Sequence, residues 1–194
     1  MKKKHYGKFF RGFLSQPRAV GALFPSSTQL AARMVNSVDW DDVQVALEYG
    51  PGTGAFTGHI LEKLAPSTRL LAIELNPEFA QILTKQFSRA TICTGSVADV
   101  KSICAAQNVD RVDAVISGLP WAVFRDQDQE DYLDAMMTVL KSSGQFVTFG
   151  YLQGLLLPTA RRFRRRLDKY FSTIDTSSPV WSNLPPAIYY HCRR

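Results

Sequence analysis

The stretch Glu48–Gly54 (EYGPGTG) determines the fold, because of the patterns on either side of it. It follows a short apolar run at residues 43–47 (VQVAL), which is typical of a buried strand. It precedes a helical spacing of apolar residues over positions 55–64. Glycines allow the chain to turn sharply and allow a ligand to contact the backbone. The pattern therefore predicts a ligand-binding turn between a strand and a helix, the alternative being a tight turn that binds nothing.

Two carboxylates accompany this turn. Glu74 lies twenty residues beyond Gly54, at the end of the next predicted strand, where a carboxylate can accept hydrogen bonds from both hydroxyls of a ribose. Glu48 lies at the entrance of the turn, Pro51 lacks a backbone N–H, and the spacing is GxGxG rather than GxGxxG. A pyrophosphate would be repelled there, whereas a cationic ligand would be attracted. S-adenosylmethionine carries a ribose, an ammonium and a sulfonium but no phosphate, so these residues favour it over a dinucleotide.

The rest of the chain continues the same alternation of strands and helices. Five strand-like runs separated by helical patterns predict a doubly wound parallel α/β sheet. Two further runs follow with no helical pattern between them, and their connection, residues 177–186, contains three prolines, so one of these strands is predicted to be antiparallel. A turn at Ser143-Gly144 is predicted to open the fifth strand. The predicted strands cover residues 43–47, 69–75, 91–94, 111–117, 145–151, 171–176 and 187–192.

On these motifs the sequence resembles the class I S-adenosylmethionine-dependent methyltransferases over essentially residues 20–194. Within them it is most similar to the bacterial phospholipid N-methyltransferases, which are related to the ribosomal RNA adenine dimethylases. The resemblance implies a Rossmann-like sheet of seven strands, mostly parallel with one antiparallel strand. The segments that carry it are GALFPSS (21–27), EYGPGTG (48–54), Glu74, SGLPW (117–121) and WSNLPPA (181–187).

The resemblance also implies S-adenosylmethionine as the cofactor and a set of residues that bind it. Phe24 and Ser26 are expected in a loop over the cofactor, and Ser26 or Ser27 is expected to cap the helix that follows. Many relatives have an aspartate after the third strand, where this chain has Ser96, so the contact to the adenine is expected to be weaker here. The remaining cofactor-binding candidates are Glu48, Gly50, Gly52, Gly54, Glu74, Leu75, Ser96, Val97 and Ser117.

The acceptor is predicted from the segment SGLPW. In the adenine methylases that it resembles, an asparagine holds the target amino group, and this chain has Gly118 at that position. This difference favours an amine on a flexible head group, with Trp121 attracting the cation that methylation forms, although the ring could instead pack in the core. A lipid amine must lose a proton before it attacks. Tyr151 at the end of the fifth strand, or His5, is the predicted proton acceptor, acting through water.

Charge is distributed unevenly along the 194 residues. The formal net charge is +6, and residues 1–20 contain six basic residues and no acid, so the rest of the chain is neutral. Residues 1–20 are therefore treated as a basic amphipathic arm, and residues 21–194 as the methyltransferase domain. A second basic cluster covers residues 161–169. The two clusters suggest an anionic lipid surface or RNA as partner, although a charge run can also be only a solvated face.

The sequence also excludes several classes of protein. There is no run of 18 apolar residues, which argues against a transmembrane helix, and the first residues do not resemble a secretory signal. The cysteines are scattered and odd in number, which argues against a disulfide framework and favours the cytoplasm, and no metal-ligand spacing is present. We expect a cytoplasmic enzyme, peripherally associated with the membrane, that methylates phosphatidylethanolamine as far as phosphatidylcholine. The alternatives are a ribosomal RNA adenine N6-methyltransferase and an inactive binding module on the same scaffold.

Overall fold

The structure, a computed structural model, describes residues 27–194 and is built on one seven-stranded sheet. The strand order is β3-β2-β1-β4-β5-β7-β6, and β7 alone runs antiparallel to its neighbours. This confirms the predicted doubly wound sheet with one antiparallel strand. The strands are β1 Val45–Tyr49, β2 Arg69–Glu74, β3 Ala90–Thr94, β4 Val112–Ser117, β5 Leu140–Tyr151, β6 Thr173–Thr176 and β7 Ala187–Arg193.

Helices cover both faces of the sheet, and three short 3₁₀ segments lie in the loops between elements. The α-helices are α1 Thr28–Ser37, α2 Ala55–Lys63, α3 Pro77–Gln86, α4 Val100–Ala106, α5 Asp126–Met137 and α6 Pro158–Leu167. The 3₁₀ segments are Val97–Asp99, Trp121–Val123 and Leu152–Leu156.

The ends of two helices follow directly from their sequences. The side chain of Asn76 accepts a hydrogen bond from the backbone N–H of Glu78, and Pro77 occupies the first turn, where its missing N–H costs nothing. The hydroxyl of Ser27 accepts from the N–H of Leu30, so Ser27 provides the predicted cap of α1.

The central strands are buried on both sides, as a parallel sheet requires. On one face, Leu47 and Tyr49 of β1 belong to a core that also contains residues of α4, α5 and α6. On the other face, Ala46 packs with residues of α1 and α2, among them Phe56 and Ile60. Successive residues of β1 therefore pack in cores on opposite faces of the sheet. Because both faces are buried, apolar residues follow one another along the strand instead of alternating with polar ones.

The start of β5 differs from the prediction. The strand begins at Leu140 rather than at residue 145, because Val112 pairs with Leu140 while Ala114 pairs with Gln145, which places a bulge between them. The predicted turn at Ser143-Gly144 is therefore wrong, and these residues belong to the bulged part of β5.

The topology places a crevice at one edge of the sheet. From β1 the chain builds outward through β2 and β3, then returns to β4 on the other side of β1. Ligands of open α/β sheets bind outside the carboxyl ends of the strands at such a reversal. The loops that follow β1, β2, β3 and β4 all lie at this edge, and so does the loop that leads into the antiparallel β7.

Candidate active site

The glycine turn between β1 and α2 adopts a backbone that other residues rarely adopt. Gly50, Gly52 and Gly54 have φ of 65°, 56° and 83°, all in the left-handed region. A Cβ on Gly50 would lie 2.7 Å from Leu119 Cδ2, and one on Gly54 would lie 2.5 Å from Phe87 Cε2, so packing also requires glycine at both positions. A Cβ on Gly52 would meet nothing within 4 Å. Gly52 is therefore the glycine that faces open space, where a ligand can approach the backbone.

Glu74 joins the loops that follow β1 and β2. Its side chain is buried, with Oε2 accepting a hydrogen bond from Gly52 N at 3.0 Å and Oε1 accepting one from Asn76 N at 2.8 Å. Burial raises the pKa of this carboxyl, and the backbone hydrogen bonds oppose that rise. The backbone donors do not use all the lone pairs of the two oxygens, so the carboxylate can still accept from a ligand's hydroxyl groups.

Glu48 is completely buried, and half of its carboxylate has no partner. Oε2 accepts a hydrogen bond from the Thr57 hydroxyl at 2.8 Å, whereas Oε1 has no hydrogen bond. Burial raises the pKa of Glu48 to about 8, the Thr57 hydrogen bond opposes this, and the Glu74 carboxylate adds to it. Neither carboxylate forms an ion pair with any residue in the range 27–194. A buried oxygen without a donor is costly, so this position suits a cationic donor from a ligand.

Comparison with known proteins identifies what this arrangement belongs to. The profile of a family described as methyltransferase domain matches residues 46–144, which include the glycine turn and Glu74. The ornithine lipid N-methyltransferase of Singulisphaera acidiphila is 31% identical over 190 residues, which are 96% of this chain and 93% of that protein. The chain belongs to the class I S-adenosylmethionine-dependent methyltransferases. Its cofactor is S-adenosylmethionine.

Two further proteins are similar to this methyltransferase, one in fold and one in part of its sequence. The 1,6-didemethyltoxoflavin-N1-methyltransferase of Burkholderia thailandensis, solved with bound 1,6-didemethyltoxoflavin and S-adenosylhomocysteine, has a TM-score of 0.67. At 16% identity over 97% of this chain and 86% of that one, it shares the fold. The ribosomal RNA small subunit methyltransferase A of a Hydrogenobaculum species is 24% identical over 133 residues, 66% of this chain and 50% of that protein.

The two buried carboxylates fit this cofactor and do not fit a dinucleotide. Oε1 of Glu48 can accept from the ammonium of the methionine moiety, and Glu74 can accept from the ribose hydroxyls. Gly52 leaves room for the ligand beside the backbone. A pyrophosphate carries negative charge itself and would be repelled by these two carboxylates in their ionised forms.

The candidates for the adenine pocket lie after β2 and β3. Gly95 N donates to the Glu74 carbonyl at 2.9 Å, which holds the two loops together. The Ser96 hydroxyl accepts from Ala98 N at 3.2 Å and so caps the following 3₁₀ segment, while its own proton is free to be donated. Val97 is buried and Leu75 is half-buried. The contacts of Ser96 with the adenine, and of Leu75 and Val97 with the cofactor, remain predictions.

The loop after β4 is held by Ser117 and Gly118. The Ser117 hydroxyl is buried and accepts from Leu119 N at 3.3 Å and from the Trp121 indole N–H at 3.0 Å. Gly118 N donates to the Tyr49 carbonyl at 2.8 Å, and a Cβ at 118 would lie 2.8 Å from the Gly50 carbonyl oxygen. Ser117 therefore stabilises its own loop, and Gly118 allows that loop to lie directly against the glycine turn.

The position of Trp121 corrects the prediction that its ring faces the substrate. The side chain is 1% exposed and stacks on Phe163 with ring centroids 4.8 Å apart and planes 15° apart. Phe124, Tyr132 and Phe146 contact the ring system edge-on. Because aromatic rings surround it and its N–H is bound to Ser117, Trp121 anchors the loop rather than presenting a face to an amine.

Tyr151 lies at the end of β5, half-buried, with its ring edge-on to Phe149 at 5.3 Å. Burial raises its pKa above the ordinary value of 10. The phenol therefore stays protonated at neutral pH, so the structure argues against Tyr151 as the proton acceptor and leaves it as a hydrogen-bond donor.

The loop before β7 contributes a residue that the sequence analysis did not single out. Asn183 is buried, its Oδ1 accepts from Ser27 N at 2.8 Å, and its Nδ2 donates to the Pro185 carbonyl at 2.6 Å. Asn183 thus connects this loop to the start of α1. Thr57, the partner of Glu48, was also missed, although its place on the first turn of α2 was a usable signal.

Several residues with predicted roles lie outside the described part of the chain, and those roles stay predictions. They are Phe24, Ser26, His5 and the arm of residues 1–20. Within residues 27–194, no helix is long and apolar enough to span a membrane. The same residues include no group of three or more His, Cys, Asp or Glu side chains placed to hold a metal ion.

Proposed function

We propose that this methyltransferase transfers methyl groups to the amine of a membrane aminolipid, with phosphatidylethanolamine or an ornithine lipid as substrate. The observation that carries the proposal is the 31% identity to a lipid N-methyltransferase over 96% of the chain. Both candidate substrates present a primary amine on a flexible head group.

The residues of the chain provide alignment and electrostatics. When bound, S-adenosylmethionine supplies a methyl group activated by a sulfonium. In our proposal Glu48 holds the ammonium of the cofactor, Glu74 holds its ribose, and Gly52 allows close approach to the backbone. The loop anchored by Ser117 borders the space into which the amine must come for in-line attack, and fixed geometry of this kind accounts for much of the rate of a transfer reaction. The neutral amine attacks, and the proton that the product must lose passes to water.

Gly118 supports a lipid amine over an RNA adenine. In the adenine methylases that the sequence resembles, an asparagine occupies this position and holds the base. Here a Cβ at 118 would lie 2.8 Å from the Gly50 carbonyl oxygen, so no carboxamide can be added without moving the glycine turn. The RNA alternative has the 24% identity to the ribosomal RNA methyltransferase in its favour, over 66% of the chain.

The experiment measures label transfer from methyl-labelled S-adenosylmethionine to three acceptors offered separately. These are phosphatidylethanolamine and ornithine lipid, each in neutral detergent micelles, and unmodified small-subunit ribosomal RNA. The Glu74→Ala variant is the control for cofactor-dependent transfer. Label in either lipid supports the proposal and identifies the head group, whereas label in RNA alone overturns it.

A further inference from the structure

Four large apolar side chains are exposed on two segments at the active-site edge. Leu156 and Leu157 follow β5 and are 72% and 44% exposed, while Trp181 and Leu184 precede β7 and are 72% and 68% exposed. We call these four residues the apolar rim. Isolated exposed leucines are ordinary, but large apolar side chains gathered on adjoining segments indicate an interaction surface.

The two segments of the rim adjoin each other and the loop that follows β4, residues 118–125, which we call the acceptor loop. Tyr151 at the end of β5 pairs with Ala187 at the start of β7, and Leu152 N donates to the Pro186 carbonyl at 2.9 Å. The hydroxyl of Thr159, just beyond Leu157, donates to the Ala122 carbonyl at 2.6 Å. The rim therefore lies beside the loop that follows β4, at the edge of the sheet where the parallel strands end.

A groove lined with arginines continues from the rim along α6. It has a volume of about 510 Å³ and is lined by Leu155, Ala160, Arg161, Arg164, Arg165 and Tyr190. We call this the arginine groove. Arg164 lies over the Tyr190 ring at 5.8 Å and pairs with Asp168 at 2.7 Å.

The other four arginines of α6 divide into two groups. Arg162 and Arg166 pair with Asp126 of α5, at 2.9 Å and 3.5 Å, so they fasten α6 to the domain. Arg161 and Arg165 are exposed, and neither forms an ion pair with any described residue. Two unpaired guanidinium groups in a groove suit phosphate, because a guanidinium can bind two phosphate oxygens at once.

We propose that the apolar rim and the arginine groove form a surface that docks on an anionic lipid bilayer. The inference rests on the proposed function, since docking there would bring the acceptor loop to the head groups. Aliphatic side chains next to an exposed tryptophan suit the boundary between head groups and acyl chains, where amphipathic rings are enriched. Arg161 and Arg165 are complementary to the phosphates of that surface. RNA would explain the arginines but not the exposed leucines.

The first test measures docking without catalysis. The full-length chain is sedimented with phosphatidylglycerol–phosphatidylcholine vesicles, which contain no primary amine, at fixed salt. The R161E/R165E variant is expected to bind about tenfold more weakly or worse. The control variant, K63E/K85E, changes the charge equally, but its positions lie near the C-termini of α2 and α3, toward the opposite sheet edge. It is expected to bind within about threefold of the wild type, because only lysines remote from the docking surface are changed.

The second test reports on the rim itself. Of the three tryptophans, Trp121 is 1% exposed, Trp40 is half-buried and Trp181 is 72% exposed, so lipid-borne quenchers should reach Trp181 first. Brominated phosphatidylcholine in the same vesicles is expected to quench wild-type fluorescence, and the W181F variant should lose that component. Vesicle binding without quenching of Trp181 would mean that another part of the chain attaches, and it would overturn the proposal.

A third measurement separates failure of docking from failure of the proposed function. With aminolipid in neutral detergent micelles, R161E/R165E should methylate at the wild-type rate, while on anionic vesicles it should be slower. If the wild type does not methylate aminolipid in micelles, lipid methylation is contradicted, while the vesicle-binding result still tests docking. If the variant binds vesicles as the wild type does but loses affinity for single-stranded RNA, the groove binds nucleic acid and the docking proposal is wrong.

Discussion

Replacing Glu48 by glutamine is expected to change the stability of the free methyltransferase and its affinity for the cofactor in opposite directions. The side chain is completely buried, Oε2 accepts from Thr57, and Oε1 has no partner. Glutamine keeps nearly the same shape and can still accept the Thr57 hydrogen bond through its carbonyl oxygen. The substitution therefore removes the charge while leaving the packing almost unchanged.

The magnitude follows from the shifted pKa. Burial raises the pKa of Glu48 from 4.5 to about 8 in the folded protein. Because the folded pKa lies above the unfolded one, Glu48 favours the folded state at low pH, and this stability is lost as the pH rises from 4.5 through 8. At about 1.4 kcal/mol per pKa unit, the loss reaches at most about 5 kcal/mol. The E48Q variant has no such loss, so its stability advantage should grow with pH and level off above pH 8.

The affinity of E48Q for the cofactor should fall, whereas its stability rises. A charge-assisted hydrogen bond to the cofactor's ammonium is worth about 1.5–3 kcal/mol, so E48Q should bind S-adenosylhomocysteine about 10- to 150-fold more weakly at pH 8. Wild-type affinity should also rise with pH up to about 8, since Glu48 must ionise to hold the cation, and this dependence should be absent in E48Q.

The assays are urea denaturation from pH 6 to 9 and calorimetric titration with S-adenosylhomocysteine. Glu62→Gln is the matched control, because Glu62 lies on the same helix, α2, with an exposed side chain, and should change neither property. Equal affinity of E48Q and wild type for S-adenosylhomocysteine would refute the assignment of the ammonium to Glu48. A stability difference that does not vary with pH would refute the argument from burial.

Three other substitutions test neighbouring parts of the site. Glu74→Ala removes the acceptor for ribose and for two loop amides, and calorimetry should show a loss of about 100-fold or more in S-adenosylhomocysteine affinity; wild-type affinity would contradict the ribose assignment. Trp121→Phe leaves the Ser117 hydroxyl without its indole donor, so denaturation should show a loss of about 1–2 kcal/mol in the free energy of unfolding, with the KM for lipid unchanged. A raised KM with unchanged stability would mean that Trp121 contacts the substrate. Gly118→Ala forces a Cβ against the Gly50 carbonyl, costing about 1–3 kcal/mol of stability by the same assay, and an unchanged unfolding midpoint would contradict the tight packing.

Much of the fold could be predicted from the sequence, because local patterns specify it. The apolar run, the glycine turn and the helical spacing predicted β1 and α2, and Asn76-Pro77 predicted the start of α3. The lack of a helical pattern before the last strand predicted that one of the last two strands is antiparallel, and the structure shows that it is β7. The bulge at the start of β5 could not be predicted, since Ser143-Gly144 is equally compatible with a turn and the register depends on pairing with β4.

The site was predictable only where its residues belong to one local motif. Glu48 and Glu74 were identified because each lies at or next to the end of a strand beside the turn, and the structure brings both to that turn. Trp121 was assigned to the substrate because its burial depends on Phe163 and Phe146, which are distant in sequence. The segments that carry the exposed apolar residues 156 and 181 adjoin only because β5 and β7 pair at their ends, which no local pattern shows.

The central claim is that the methyl group is transferred to the nitrogen of a lipid head group. The most direct measurement is mass spectrometric fragmentation of the lipid recovered after reaction with methyl-labelled S-adenosylmethionine, since the head-group fragment reports which atom carries the label. We predict labelled methyl on the amine nitrogen of the head group, and far less of it with the Glu74→Ala variant. Label on another lipid atom, or label confined to adenine when ribosomal RNA is present in the same reaction, would contradict the account.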